Sequence, residues 1–276
     1  MAEIICPVCM HHCHLDEGQT GLCKARKNEF GKSVSLNYGF ITSLSLDPIE
    51  KKPLAFFHPG SQILSVGSFG CNLNCPFCQN DAISMAGVDQ VETEYYSPQR
   101  LALLAQVLIP KDNIGVAYTY NEPMIGFEYV RDTAKEVRGL GLLNVVVTNG
   151  SVTAETLRQV LPYLDALNID LKGFSEAYYR KLGGDLQTVL RFIQLAWQNA
   201  YVELTTLIVP GENDTEEEMR RLSAWVAELD DEIPLHITRF FPHRNRMDLQ
   251  PTDIAVLKRL VAVAKENLKH VLLGNV

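Results

Sequence analysis

Short apolar runs alternate with longer amphipathic stretches from residue 63 almost to the end of the chain. The short runs are rich in β-branched residues, which predicts strands, and the longer stretches repeat apolar residues every three or four positions, which predicts helices. Strands are predicted at Ile63–Val66, Ile114–Tyr118, Asn144–Thr148, Ala166–Asp170, Val202–Val209, Leu235–Phe240 and Val271–Leu273. Helices are predicted at Pro98–Leu108, Met124–Leu140, Thr153–Leu161, Glu176–Leu182, Leu186–Asn199, Thr215–Leu229 and Thr252–Leu268.

Units that alternate one strand with one helix require parallel strands joined by right-handed crossovers. The pattern therefore predicts an α/β fold, either a barrel or an open doubly wound sheet. Before these units, residues 33–49 alternate apolar and small polar positions around Gly39, which predicts one or two strands of an N-terminal extension. We expect two parts, a cysteine-rich β extension over residues 1–60 and the barrel over residues 61–276.

Polar side chains recur where predicted strands end. They are found at residues 119–122, at Thr148 and Asn149, and at Asp170 and Lys172, while His236 and Arg239 lie in a later strand. Each group has a simple structural explanation, such as a turn at Asn149 or a helix cap at Asp170. Because the carboxyl ends of barrel strands meet at one mouth, the repetition favours a shared site there.

The composition is that of a globular protein, since 46% of the 276 residues are apolar and 21% are charged. Lys and Arg total 25 against 33 Asp and Glu, and the net charge of −8 argues against a protein built to bind nucleic acid. No apolar run reaches the roughly 20 residues that span a bilayer. The first residues lack the pattern of a secretory signal. We therefore expect a cytoplasmic protein without membrane or nucleic-acid partners.

Seven cysteines in a cytoplasmic chain favour metal or redox chemistry over disulfides. Cys71, Cys75 and Cys78 follow the first barrel strand with spacings of three and two residues. Three thiolates in so short a loop can ligate three irons of a cubane cluster and leave the fourth iron open. The alternatives are a zinc site completed by a histidine or carboxylate, and a loop with incidental thiols.

Cys6, Cys9, Cys13 and Cys23 form a second group, interleaved with histidines. Four thiolates can close a tetrahedral zinc site that orders a segment with little core. The spacing differs from the C-x2-C-x2-C-x3-C run of bacterial ferredoxins. Structural zinc is the first interpretation, an extra iron–sulfur cluster the second and unligated thiols the third.

A basic and aromatic stretch, residues 239–246, follows the sixth predicted strand. Its arginines suit an acidic or phosphorylated substrate at the barrel mouth. A solvated loop that packs its phenylalanines is the alternative, and the residues alone do not separate the two.

These motifs resemble those of the radical S-adenosylmethionine (SAM) enzymes, whose signature C-x3-C-x-aromatic-C is matched by Cys71, Cys75, Phe77 and Cys78. Within that superfamily the chain is similar to pyruvate formate-lyase activating enzymes, and most of all to the AmmeMemoRadiSam system radical SAM protein subgroup. The sequence motifs on which this similarity rests are residues 47–53, 58–61, 78–80, 118–123, 148–150, 170–173, 208–211 and 236–242. The resemblance implies a partial (β/α)6 TIM-type barrel.

The resemblance also implies that Cys71, Cys75 and Cys78 hold a [4Fe-4S] cluster, whose open iron chelates the amino and carboxylate groups of SAM. Asn121 and Glu122 stand where the family carries a Gly-Gly-Glu-Pro element, and Glu122 would receive the methionine ammonium, although both glycines are absent here. The other implied cofactor contacts are Phe77 on the adenine, Thr148, Asp170 and Lys172 around the carboxylate and ribose, and His236.

A monovalent cation is a further implied cofactor. Activating enzymes bind it with an acidic residue where this chain has Val147, so here it would depend on Asp170 and a backbone carbonyl. The subgroup usually continues past Val276 to another Cys-x-x-Cys pair, which makes this end a candidate truncation.

The implied reaction begins when flavodoxin or ferredoxin reduces the cluster, and a 5′-deoxyadenosyl radical from SAM then takes hydrogen from a substrate. One expected substrate is a glycine of a partner protein, supplied in trans because the chain has no Arg-Val-x-Gly-Tyr-like motif. A small molecule or a nucleoside is the alternative substrate. The competing class of function is a non-catalytic iron–sulfur or zinc scaffold.

Overall fold

Strands and helices alternate along the chain much as the apolar pattern predicts. The structure, a computed structural model, describes residues 3–276. Its strands are β1 (Ile4–Ile5), β2 (His14–Leu15), β3 (Arg26–Glu29), β4 (Lys32–Ser35), β5 (Phe40–Ile41), β6 (Ser43–Pro48), β7 (Gln62–Gly67), β8 (Glu94–Tyr95), β9 (Asn113–Tyr118), β10 (Leu143–Thr148), β11 (Ala166–Asp170), β12 (Tyr201–Ile208), β13 (Leu235–Arg239) and β14 (Val271–Gly274). Its α-helices are α1 (Asp81–Ser84), α2 (Pro98–Val107), α3 (Phe127–Gly139), α4 (Ala154–Arg158), α5 (Glu176–Lys181), α6 (Leu186–Trp197), α7 (Glu216–Leu229) and α8 (Ile254–Ala264).

Eight strands form the main sheet in the order β14-β13-β12-β11-β10-β9-β7-β6. All neighbours are parallel except β6, which runs antiparallel to β7. The predicted α/β class is therefore confirmed, and the mainly parallel sheet is consistent with a partial TIM-type barrel. In the described residues the edge strands β6 and β14 do not pair with each other, so the sheet stays open.

Two of the predicted helices are partly replaced by 3-10 turns, and each of these turns contains a proline. The helix predicted from Met124 starts with a 3-10 turn, Pro123–Gly126, before α3 begins. The helix predicted to reach Leu161 ends as α4 at Arg158, and Leu161–Tyr163 forms a separate 3-10 turn. Proline has no backbone N–H to donate and fits the first turn of a helix but not its interior.

The segment between β6 and β7, residues 49–61, packs against the inward-facing side of the sheet. Ile49 and Leu54 are completely buried in one apolar cluster with residues of β7, β9, β10 and β11. The side-chain amide of Asn168 on β11 donates to the carbonyl of Pro53 at 2.8 Å. This segment therefore fills part of the interior, and we call it the inner segment.

Short hairpins precede the main sheet, and the buried Arg26 joins one of them, β3 and β4, to helix α3 and the turn before it. Arg26 on β3 donates to both carboxylate oxygens of Glu128 on α3, at 2.8 and 2.6 Å, and to the carbonyl of Ile125. It also donates to the side chain and carbonyl of Ser33.

Strand β6 precedes residue 60 in the sequence and is nevertheless part of the main sheet. The division of the chain into two parts at residue 60 remains a prediction. No helix within residues 3–276 is long and apolar enough to cross a membrane.

Candidate functional site

The carboxyl ends of the strands surround a cavity of about 460 Å³. The inner segment contributes Glu50 and Pro53 to its wall. Ten residues singled out from the sequence also line it, namely Cys71, Cys75, Phe77, Cys78, Asn121, Glu122, Thr148, Asp170, Lys172 and His236. The fold thus brings together side chains that are up to 165 residues apart in the sequence (236 − 71).

The loop after β7 carries the three cysteines and presents them all to the cavity, whose wall contains no fourth cysteine. Burial raises the pKa of Cys71 well above its ordinary value and that of Cys75 to about 11, although the nearby Lys172 acts in the opposite direction on Cys75. Within residues 3–276 no three His, Cys, Asp or Glu side chains are grouped to hold one metal ion. Three thiols that line one cavity are a donor set that suits three irons of a cubane cluster.

Glu122 is a buried carboxylate with three hydrogen-bond donors. One oxygen, Oε1, accepts from the backbone N–H of Met124 at 2.9 Å and the hydroxyl of Thr148 at 2.7 Å. The other, Oε2, accepts from the backbone N–H of Asn149 at 2.7 Å. Burial raises the pKa of Glu122 to about 7, even though all three donors favour the charged form. A cation arriving in the cavity would compensate for that burial.

Asp170 and Lys172 form an ion pair at the end of β11, with 2.8 Å between Oδ2 and Nζ. Burial alone would lower the pKa of Lys172, but the charges of Asp170 and Cys75 hold it above its ordinary value. Lys172 therefore keeps a positive charge beside the cysteine loop. That charge suits a carboxylate ligand or a negatively charged cluster.

His236 lies on β13 and borders the cavity, and its Nε2 is 2.6 Å from an oxygen of Glu203. Glu203 is completely buried and accepts backbone N–H bonds from Ala55 and Phe56 of the inner segment, at 3.0 and 2.9 Å. Burial works against its charge, but His236 and the two amides hold the pKa of Glu203 below its ordinary value. Sequence reasoning missed Glu203, although an acidic residue within an apolar strand was a visible signal.

Phe77 and Asn121 also reach the cavity, but part of each side chain is engaged elsewhere. Phe77 packs edge to face against Phe240, with ring centroids 6.5 Å apart. The amide of Asn121 donates to the carbonyls of Phe69 and Gly70, both at 3.1 Å, and accepts from the backbone N–H of Ser68. Asn121 thereby holds the start of the cysteine loop against the end of β9.

The stretch 239–246 supports the cysteine loop from outside the cavity. The Arg244 guanidinium donates to the carbonyl of Cys75 at 2.6 Å and to Asn74 Oδ1 at 2.8 Å. The backbone N–H of Asn245 donates to the carbonyl of Pro76 at 2.8 Å. Neither sequence interpretation of this stretch included such contacts.

The four N-terminal cysteines lie outside the cavity wall. Cys6, Cys9 and Cys23 are buried and Cys13 is half-buried. Burial raises the pKa of Cys9 to about 12, and the thiols of Cys6 and Cys23 interact with it electrostatically. These cysteines are near one another, but within the described residues they are not grouped around a single metal position. Zinc or a second cluster in this segment remains a prediction.

Comparison with known proteins identifies the family. Residues 65–223 match the radical SAM superfamily. An uncharacterized protein of Methanocaldococcus jannaschii is 38% identical over 277 aligned residues, which cover 99% of this chain and 82% of that protein.

Two solved structures share the fold at low identity. A domain of pyruvate-formate lyase-activating enzyme from Bacteroides vulgatus is similar with a TM-score of 0.52 and 18% identity, covering 58% of this chain and 99% of that domain. Streptococcus suis SuiB bound to its precursor peptide SuiA has a TM-score of 0.59 and 13% identity, covering 76% of this chain and 47% of SuiB. The family match spans more than half of the sequence and includes the three-cysteine loop, so this chain belongs to the radical SAM superfamily.

Proposed function

We propose that this chain is a radical SAM enzyme in which Cys71, Cys75 and Cys78 bind a [4Fe-4S] cluster with one open iron. The observation that carries the proposal is that three thiols and the buried carboxylate of Glu122 share one cavity without a fourth cysteine. A bound, reduced cluster would supply one electron for breaking the C–S bond of SAM, with methionine as the leaving group, and the 5′-deoxyadenosyl radical so formed would take hydrogen from a substrate.

The residues of the cavity would bind and orient SAM. Glu122, with Thr148 holding one of its oxygens, would accept the methionine ammonium. Lys172 and Asp170 would contact the methionine carboxylate and the ribose hydroxyls, and Phe77 and His236 would border the adenosine. A monovalent cation beside Asp170 and the carbonyl of Val147, which also lines the cavity, completes the proposed ligand set.

A peptide glycine of a partner protein is the proposed substrate. The fold is shared with a domain of pyruvate-formate lyase-activating enzyme and with SuiB, which has been solved with a bound peptide. The cavity is bordered by residues next to both edge strands, Glu50 after β6 and Gly274 at the end of β14. A small molecule or nucleoside is the second candidate. The sequence motifs shared with the AmmeMemoRadiSam subgroup support the proposal that this chain is a member of it. The proposed electron donor is flavodoxin or ferredoxin.

The zinc proposal for the N-terminal segment rests on four thiols within residues 6–23, three of them buried. Burial raises the pKa of Cys9 and of Cys23, and a bound Zn²⁺ would favour their thiolate forms and draw the thiols together.

The reaction class is tested by measuring 5′-deoxyadenosine after anaerobic reconstitution, dithionite reduction and addition of SAM. We expect product from the wild type and background amounts from Cys75→Ser, which removes a thiol from the cavity wall. Iron analysis of each protein accompanies the assay. A wild type that holds four irons and yields no product over a long incubation contradicts the enzyme and favours the scaffold.

The raised pKa of Glu122 predicts a pH dependence of folding in the metal-free protein. Its ordinary pKa is 4.5 and its folded value is about 7, so the folded state holds a proton that the unfolded state loses in this range. Stability therefore falls as pH rises through this window, by on the order of 2 kcal/mol between pH 5 and pH 8. Urea unfolding should show this extra loss in the wild type and not in Glu122→Gln. Parallel pH profiles for the two proteins contradict the assignment.

Zinc and iron analysis of the Cys6→Ser, Cys9→Ser double variant tests the N-terminal metal. We expect the wild type to hold one zinc per chain and the variant to lose it, while the iron of the cavity cluster stays. Loss of iron in place of zinc would identify a second cluster. Unchanged contents of both metals contradict every metal interpretation of this segment.

A further inference from the structure

Two buried side-chain amides, those of Asn72 and Asn149, lie between the N-terminal cysteines and the cavity thiol of Cys71. The Asn149 amide nitrogen donates to Asn72 Oδ1 at 3.0 Å and to Cys71 Sγ at 3.6 Å. The Asn72 amide nitrogen donates to the carbonyl of Ser151 at 3.0 Å and to the thioether sulfur of Met10, next to Cys9 in the sequence, at 3.9 Å. The exposed fractions of Asn72 and Asn149 are 3% and 6%.

The surrounding bonds determine the orientation of the Asn149 amide. Its Oδ1 accepts from the backbone N–H of Ser151 at 2.9 Å, so the NH₂ group must point toward Cys71 and Asn72. The backbone N–H of the same residue donates to Glu122 Oε2 at 2.7 Å. Asn149 therefore contacts both a cluster-loop thiol and the carboxylate proposed for the SAM ammonium.

The N-terminal cysteine segment contacts Asn72, the second asparagine of the pair. His11 Nε2 lies 2.7 Å from the carbonyl oxygen of Asn72. Cys9 forms a β-bridge with Val152, and the backbone N–H of Thr153 donates to the carbonyl of Val8 at 3.0 Å. The segment is thus packed against both loops that carry the amides, and it limits the positions that Asn72 can take.

Hydrogen bonds to the sulfur ligands of an iron–sulfur cluster are among the factors that set its reduction potential. An N–H donor stabilises the added negative charge of the reduced form, and the effect is strong in a buried, low-dielectric position. At the three-cysteine loop Asn149 is a side-chain donor to the Cys71 sulfur, while the backbone N–H of Leu73 donates to the same sulfur at 3.4 Å.

We propose that Asn149, held in place by Asn72, is a positioning residue that raises the reduction potential of the cluster bound by Cys71. Through Asn72 this effect depends on the packing of the N-terminal cysteine segment. The inference rests on the proposed function, because it takes Cys71 as a cluster ligand.

The test is a redox titration of the reconstituted cluster without SAM, monitored by electron paramagnetic resonance. We expect Asn149→Ala to have a more negative midpoint potential than the wild type. Asn72→Ala should shift the midpoint in the same direction by less, because Asn149 keeps its donor but loses a restraint. Asn168→Ala is the matched control, since the side chain of that buried asparagine bonds to Pro53 and Thr205 and not to the cysteine loop in the described part of the chain.

Iron content and thermal unfolding are measured on every variant. Midpoints equal to the wild-type value in Asn149→Ala and Asn72→Ala, with four irons bound, overturn this inference alone. A wild type that assembles no cluster overturns the proposed function instead. If Asn149→Ala loses iron, the Asn72→Ala variant tests the inference, because it leaves the Asn149 donor in place. A more negative midpoint in Asn72→Ala then supports the inference, and an unchanged midpoint overturns it.

Discussion

The burial of the Glu122 carboxylate is the constraint on which the site depends. Its three donors come from the 3-10 turn after β9 and from the end of β10, so one side chain ties two strand ends together. Burial and the nearby Glu122 carboxylate both raise the pKa of Cys71, so the cysteine loop lies within electrostatic range of this carboxylate. A buried carboxylate whose pKa is raised to about 7 is costly to keep charged without a cation beside it. A cationic ligand would remove that cost, which supports the proposed contact between Glu122 and the ammonium group of SAM.

Much of the architecture was visible in the sequence because parallel strands carry short, continuous apolar runs and their carboxyl ends meet at one mouth. The strand Ala166–Asp170 was predicted with the same bounds that the structure has. The clustering of Glu122, Thr148 and Asp170 followed from their positions at strand ends, and the structure places all three on one cavity wall. These positions are predictable from the sequence because each depends only on where its own strand ends and on the convergence of the strand ends at one mouth.

Contacts between distant segments were not predictable in the same way. Nothing near Ala55 or Phe56 shows that their backbone N–H groups donate to Glu203, nearly 150 residues away. The bond from Arg244 to the carbonyl of Cys75 and the amide pair of Asn72 and Asn149 depend equally on tertiary packing. The four N-terminal cysteines differ again, because their spacing is compatible with several metals and the ligand chemistry alone does not choose among them.

The central claim is that the three-cysteine cluster has one iron open to SAM. Electron–nuclear double resonance of the reduced cluster, with isotopes in the amino nitrogen and carboxylate oxygen of SAM, tests it most directly. The account predicts hyperfine coupling from both labels to the cluster in the wild type. A fully assembled cluster that shows coupling to neither label, with SAM bound to the protein, contradicts it.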